Sequence, residues 1–227
     1  MLYTRAQLIT EIERFYIRGD IADATWHIFM DLALEHAANK YNWLDLKGTH
    51  TYNTVADTET VALNASPGVR ILHSVRTEQT SATDNDPLTF LPYEEYQDRY
   101  RAGTSATGVP KNFSVWGRTL YLQPIPDDAY TLRTWETRFP TKFVDGTDST
   151  TSPIINLDTY LIHYATGWAY LTKQHKDYAD THFKIANEAL LLAKGRNDLL
   201  IAQNRTPSDS AYEITLDTRL NDDYERP

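Results

Sequence analysis

Glu94 and Glu95, the histidines 163, 175 and 182, and the acidic runs Asp84-Asn-Asp86 and Asp145-Gly-Thr-Asp148 are the groups here that could move a proton or hold a metal. Cleavage of a glycoside needs two carboxyls facing each other across a cleft. Neighbours on one helical turn point apart, so Glu94-Glu95 reads as the solvated start of a helix. A helical zinc site sets two histidines four residues apart. His163 and His175 are twelve apart and His175 and His182 seven, a spacing that assigns them to a core or an interface. Neither acidic run has the alternating ligands and closing glutamate of a calcium loop, so both read as turns. The sequons at Asn64, Asn112 and Asn204 have no role without a signal peptide. No phosphate loop, nucleophile elbow or nucleotide fingerprint appears, and 9 glycines leave little material for one. No enzyme is therefore expected, with no catalytic, metal-binding or cofactor-binding residue and no cofactor.

The 227 residues are 41% hydrophobic, enough for one or two domains with a real core. There is no cysteine, so packing alone must hold the fold. No run of 18 apolar residues occurs, and the charged N-terminus does not resemble a leader, so a chain made and used in the cytoplasm, without a membrane, is expected. A net charge of -9 argues against broad contact with a phosphate backbone. A surface past which DNA must slide without sticking would also be acidic.

Thr4 and Gln7 have the spacing of a capping box, and Leu8, Ile12 and Phe15 follow at helical spacing. Gly19-Asp20 breaks this helix near Ile17. Asp20 or Asp23 then caps a second helix to about Tyr41, with Trp26, Phe29, Ala33 and Ala37 on one stripe and Ile28 and Leu32 on another, so burial on more than one side is expected. Short strand-like pieces follow at 59–63, 69–77 and 88–90, then one helix over 91–100 with Pro92 in its first turn.

The turn chemistry is most specific at Gly117-Arg118, where glycine supplies the positive φ of a two-residue type II′ hairpin. Pairing outward sets Trp116 opposite Thr119, Val115 opposite Leu120, Ser114 opposite Tyr121 and Phe113 opposite Leu122. Phe113, Val115, Leu120 and Leu122 then form the core face of the β-rich insertion. Pro124 and Pro126 end the second strand. Asp127-Asp128 turns into a third strand over 130–139, completing a meander, in which Leu132 and Trp135 have opposite parity and imply a bulge or two-sided burial.

After a polar loop, Leu157, Leu161, Tyr164, Trp168, Leu171, His175, Tyr178, His182, Ile185, Ala189 and Leu192 recur in steps of three and four, the pattern of a seam against other helices. One helix of about 40 residues would far exceed the usual ~11. A break near His175-Lys176-Asp177, with Asp177 as the next cap, and a stop at Gly195 are expected.

The order of these segments resembles the head-to-tail adaptor (connector) proteins of short-tailed bacteriophages. The resemblance is carried by Arg18-Gly19-Asp20-Ile21 between the first helices, Leu91-Pro92-Tyr93, Gly108-x-Pro110, Leu120-Tyr121-Leu122-Gln123-Pro124-x-Pro126 with Tyr130-Thr131-Leu132, and Asn156 opening the late helix. It implies a virion protein at the head-tail junction, forming a twelve-subunit ring of identical copies under the portal protein. Such a ring closes the filled head and offers a platform to tail or nozzle proteins, with DNA only as passing cargo. The fold expected is α+β: a helical bundle from the N- and C-terminal helices (1–46 and 154–201), an inserted antiparallel β-rich subdomain, sandwich or barrel-like (47–153), and an extended acidic tail (202–227).

Two other functions stay open on the residues alone: a β-rich carbohydrate or receptor-binding tail module, with Trp116 and Tyr121 stacking on sugar, and a tail-associated hydrolase. The tail matches no motif of the family. Its last twenty residues hold six acidic groups against two arginines, which predicts disorder in the free protein. Tyr212, Ile214 and Leu216 nevertheless alternate with polar residues, the pattern of a strand that adds to a sheet edge on the portal or a neighbour.

Overall fold

Thr4 opens helix α1, Arg5–Phe15, through the expected box: the Gln7 amide donates to Thr4 Oγ1 at 3.3 Å, and the Thr4 amide donates to Gln7 Oε1 at 2.9 Å. The structure, a computed structural model, describes residues 3–16, 19–63, 67–78, 87–100, 106–143, 149–204 and 214–215. It is α+β and divides into two units.

The helical unit contains the described residues up to Leu46 and those from Phe139 to the end of the last long helix. In α1, Leu8 and Ile12 are fully buried. Helix α2, Asp23–Lys40, buries Trp26, Met30, Ala33, Leu34 and Ala37 and leaves Ile28 and Leu32 exposed, so its apolar residues are not all covered by its own chain. Ala22 occupies its N-cap position without a side-chain bond. Asp20, expected as a cap, instead accepts from the Tyr16 hydroxyl at 2.7 Å and pairs with Lys173 at 2.9 Å.

Helices α4, Asp158–Thr172, and α5, Lys176–Asn204, form an antiparallel hairpin. The break falls at 173–175, where Gln174 adopts φ +61° and the His175 amide bonds back to the Tyr170 carbonyl at 3.0 Å. Asp177 lies inside the first turn of α5 and is not its cap. Two further expectations fail. Gly195 does not stop α5, because Asn197 beyond it accepts from the Leu44 amide (2.8 Å) and donates to the Asn42 carbonyl (2.9 Å), an anchor that outweighs the ~1 kcal/mol a helical glycine costs. The seam also changes phase at the break: α5 buries Ala179, Ala186, Leu190, Ala193 and Asn197, while Tyr178, Ile185 and Leu192 are exposed.

The strand-rich unit contains Lys47–Arg138 and the short tail strand. Residues 139–143 and 149–153, read from sequence with the insertion, group with the helical unit. The first sheet has β1 (Lys47–Asn53), β7 (Thr131–Arg138), β3 (Val69–Glu78) and β8 (Ile214–Thr215) in that order. The second has β2 (Thr60–Ala62), β6 (Thr119–Gln123), β5 (Asn112–Trp116) and β4 (Thr89–Phe90), and helix α3 is Tyr93–Tyr100. The hairpin register is the one Gly117 dictates, with Val115 opposite Leu120 and Phe113 opposite Leu122, and Gly117 sits at φ +60°. The meander does not continue. Thr54 binds the turn before β7, its amide donating to the Tyr130 carbonyl (2.9 Å) and its hydroxyl to the Asp128 carbonyl (3.0 Å), so β7 pairs with β1 in the other sheet. The register shifts fall on β3, beside Arg70 and His73. Strand β1 has no turn or periodic signal of its own and appears only as the partner of β7.

Candidate docking surfaces

Phe113, Leu120 and Leu122 are buried and Val115 is half-buried against the same cluster, which also takes Tyr52, Val61, Leu72, Val75 and Leu132 from both sheets. These residues position the surface; they are not part of it. Because β5 and β6 turn that face inward, the opposite face presents Trp116, exposed by 61%, and Tyr121. Tyr93 of α3 stacks on Trp116 with ring centroids 4.7 Å apart and lies 5.2 Å from Tyr121. Beneath them Tyr96 donates to Glu59 Oε1 at 2.6 Å, and its hydroxyl lies 3.0 Å from the Leu122 carbonyl. Burial first, and the Glu59 carboxylate second, push this phenol above its ordinary value. The anchored Tyr96 thus fixes α3, and α3 holds the Tyr93 ring under Trp116. Nothing in the sequence around Tyr93 announces this stack, which joins two residues twenty-three apart in the chain.

The same unit encloses a charged network. The Glu136 carboxylate is fully buried, accepting from Arg138 Nε at 2.5 Å and Thr134 Oγ1 at 2.9 Å, with the Tyr52 hydroxyl at 3.4 Å. Burial, with Glu136 beside it, raises the Tyr52 phenol to about 12.

In the helical unit His163 and His182 meet across α4 and α5, Nδ1 to Nδ1 at 3.0 Å, although spacing along the chain had not paired them. Burial lowers both below the ordinary histidine range, and the charge His163 would carry lowers His182 further. His175 lies apart from that contact, against Tyr170 and Tyr178. Glu94 and Glu95 stand in the first turn of α3, where Glu95 pairs with Arg99. The runs at 84–86 and 145–148 and the sequon at Asn64 lie outside the described residues. Among the described residues no group of three or more His, Asp or Glu could hold a metal ion.

Of the tail residues, Ile214 falls in β8, which pairs antiparallel with β3, Leu72 opposite Ile214 and Ile71 opposite Thr215. Tyr212 and Leu216 lie outside the described residues. The first sheet thus accepts the tail of its own chain along two residues of a ten-residue strand.

An α+β chain that offers an aromatic surface, exposed helix faces and a strand added at a sheet edge has the features of a structural protein that works by docking. The comparison with known families is specific: the model of the SU10 adaptor protein family matches residues 3–211, and the chain belongs to that family. It is a phage adaptor protein, and so a component of the virion. Among the described residues no helix is long and apolar enough to cross a membrane. No curated protein matches the chain.

Proposed function

We propose that this chain forms a ring of identical copies, twelve in number, beneath the portal protein, where it closes the DNA-filled head and provides the platform on which tail or nozzle proteins dock. In this reading the helices of residues 1–46 and 154–201 form a bundle that packs side by side with neighbouring copies. The β-rich insertion is the platform, and the acidic tail, 202–227, is an arm that adds as a strand through Tyr212, Ile214 and Leu216 to the portal or a neighbour. The observation that carries the reading is the family match, because it takes in both units and runs into the tail. The net charge of -9 supports it, since an acidic wall lets DNA pass without counterion-releasing contacts. The two-residue pairing of β8 supports it too, because so short a ladder is readily exchanged for one on a partner. Mixing the purified chain with its cognate portal protein converts single subunits into a stoichiometric ring complex, seen by native mass spectrometry and negative-stain imaging. Absence of association at every salt concentration overturns the reading.

One observation favours a second reading. The exposed Trp116 stacked on Tyr93 is a platform on which a sugar ring could lie, as in a carbohydrate or receptor-binding tail module. A glycan array separates the two: binding that Trp116→Ala abolishes, from a chain that stays monomeric with portal, selects the module.

A further inference from the structure

Helix α5 carries a second apolar stripe that its own subunit does not cover. Tyr178, Ile185, Leu192 and Leu199 stand seven residues apart, a spacing that keeps them on one side of a helix, and they are exposed by 62, 37, 71 and 66%. Leu191 and Leu200 widen the stripe in its second half. Single exposed leucines are ordinary, but four within ten residues of one helix form a patch of the kind that marks an interaction surface. Charge in that half is simple. Lys194 is paired with Asp198, leaving Arg196, one turn from Leu192 and from Leu199 and Leu200, with no ion-pair partner among the described residues.

A smaller stripe of the opposite sign lies on α2, in the same helical unit. Ile28 and Leu32 are exposed one turn apart, and exposed Glu35 follows one turn later, also without an ion-pair partner among the described residues. A closed ring needs two different faces that complement each other on every copy. Packing α5 on its own counterpart around a twofold axis near Arg196 would set arginine against arginine, and like charges brought together at an interface are strongly unfavourable.

We infer that the Ile28–Leu32–Glu35 face of α2 on one copy packs on the Leu192–Arg196–Leu199 face of α5 on the next, burying the apolar side chains against one another and bringing Glu35 to Arg196. The interface rests on the ring reading above and adds the surfaces that close the ring. Its occupant is a second copy and not the portal, because both faces, matched in apolar character and opposed in charge, occur on this one chain.

The chain has no cysteine, so introduced thiols report on their own positions alone. Leu32→Cys and Leu199→Cys are placed singly and together, the variants are assembled on cognate portal, and the complexes are treated with a short bismaleimide cross-linker. The double variant gives a denaturing-gel ladder extending beyond the dimer, and each single variant runs as monomer. Rings that form normally yet give no ladder overturn the interface and leave the ring reading standing. Dimers from a single variant overturn it as well, since they mean that like faces meet. Failure of the unaltered chain to form rings removes both. A charge exchange tests the pairing independently. Arg196→Glu raises the subunit concentration needed for half-assembly roughly tenfold or more, and adding Glu35→Arg restores it. Both positions are exposed, so circular dichroism melting stays unchanged, and a double variant no better than the single one overturns the contact.

Discussion

His163 on α4 and His182 on α5 stack face to face, ring centroids 5.2 Å apart, with their Nδ1 atoms at 3.0 Å. One nitrogen must donate and the other accept, so the contact exists only while at least one ring is neutral. Phe15 covers the pair at 4.9 Å from His163, and Tyr170 stacks on His182 at 5.6 Å. A charge on His163 acts on His182 directly and lowers its pKa beyond what burial does.

Both histidines have folded-state values below their unfolded ones, through burial first. The unfolded chain therefore takes up protons before the folded one does. Stability is fully present above about pH 6.5, the unfolded value, and is lost as the pH falls toward the lower folded values. Melting temperature, followed by circular dichroism, stays level in mildly alkaline buffer and drops on acidification through that window. His36, also lowered by burial, adds to the same slope. His182→Phe should flatten the drop, and an unchanged slope would assign it to other groups.

Gly167 of α4 faces Phe183 of α5 with no room for a side chain. A Cβ added there would lie 2.8 Å from Phe183 Cε1, and that ring is held edge-on by Tyr164 and Trp168. Alanine is the better helix former by about 1 kcal/mol, whereas overpacking costs about 1–3 kcal/mol. Gly167→Ala is therefore expected to destabilise on balance, and Phe183→Leu in the same chain to recover part of the loss. Denaturant titration of the four proteins checks this, and simple additivity would show that the ring moves freely.

Leu120 is fully buried opposite Val115. Leu120→Asp places an unpaired carboxylate between the two sheets, at about 3–5 kcal/mol. Limited proteolysis should then cut within residues 47–138 at a protease concentration the parent chain resists. Unchanged melting and proteolysis would mean that the core does not sit at this register.

Deleting residues 208–227 removes a strand of two residues from the edge of β3 and none of the described core. Melting temperature should stay nearly unchanged while attachment to portal-bearing heads weakens, measured by co-sedimentation. Full attachment by the shortened chain would reduce the tail to a solubilising extension.

What the sequence determined by itself was decided within a few bonds. Thr4 and Gln7 fix the start of α1, and Gly117 fixes the hairpin register because only a positive φ closes that turn. The alternation of Phe113, Val115, Leu120 and Leu122 could be read as a core face, since a two-residue turn leaves no freedom in pairing. The tertiary structure decided everything that depended on residues far apart in the chain. Thr54 sends β7 to the other sheet, Asn197 carries α5 past Gly195, and the turn at 173–175 resets the helical phase, so a seam extrapolated across it pointed to Tyr178, Ile185 and Leu192 on the wrong side. His163 meets His182, and Tyr93 meets Trp116, only because a hairpin of helices and a helix over a sheet bring them together. Periodicity says that a face is apolar; which neighbour covers it is set by packing between distant segments, and on α5 the subunit leaves that face open.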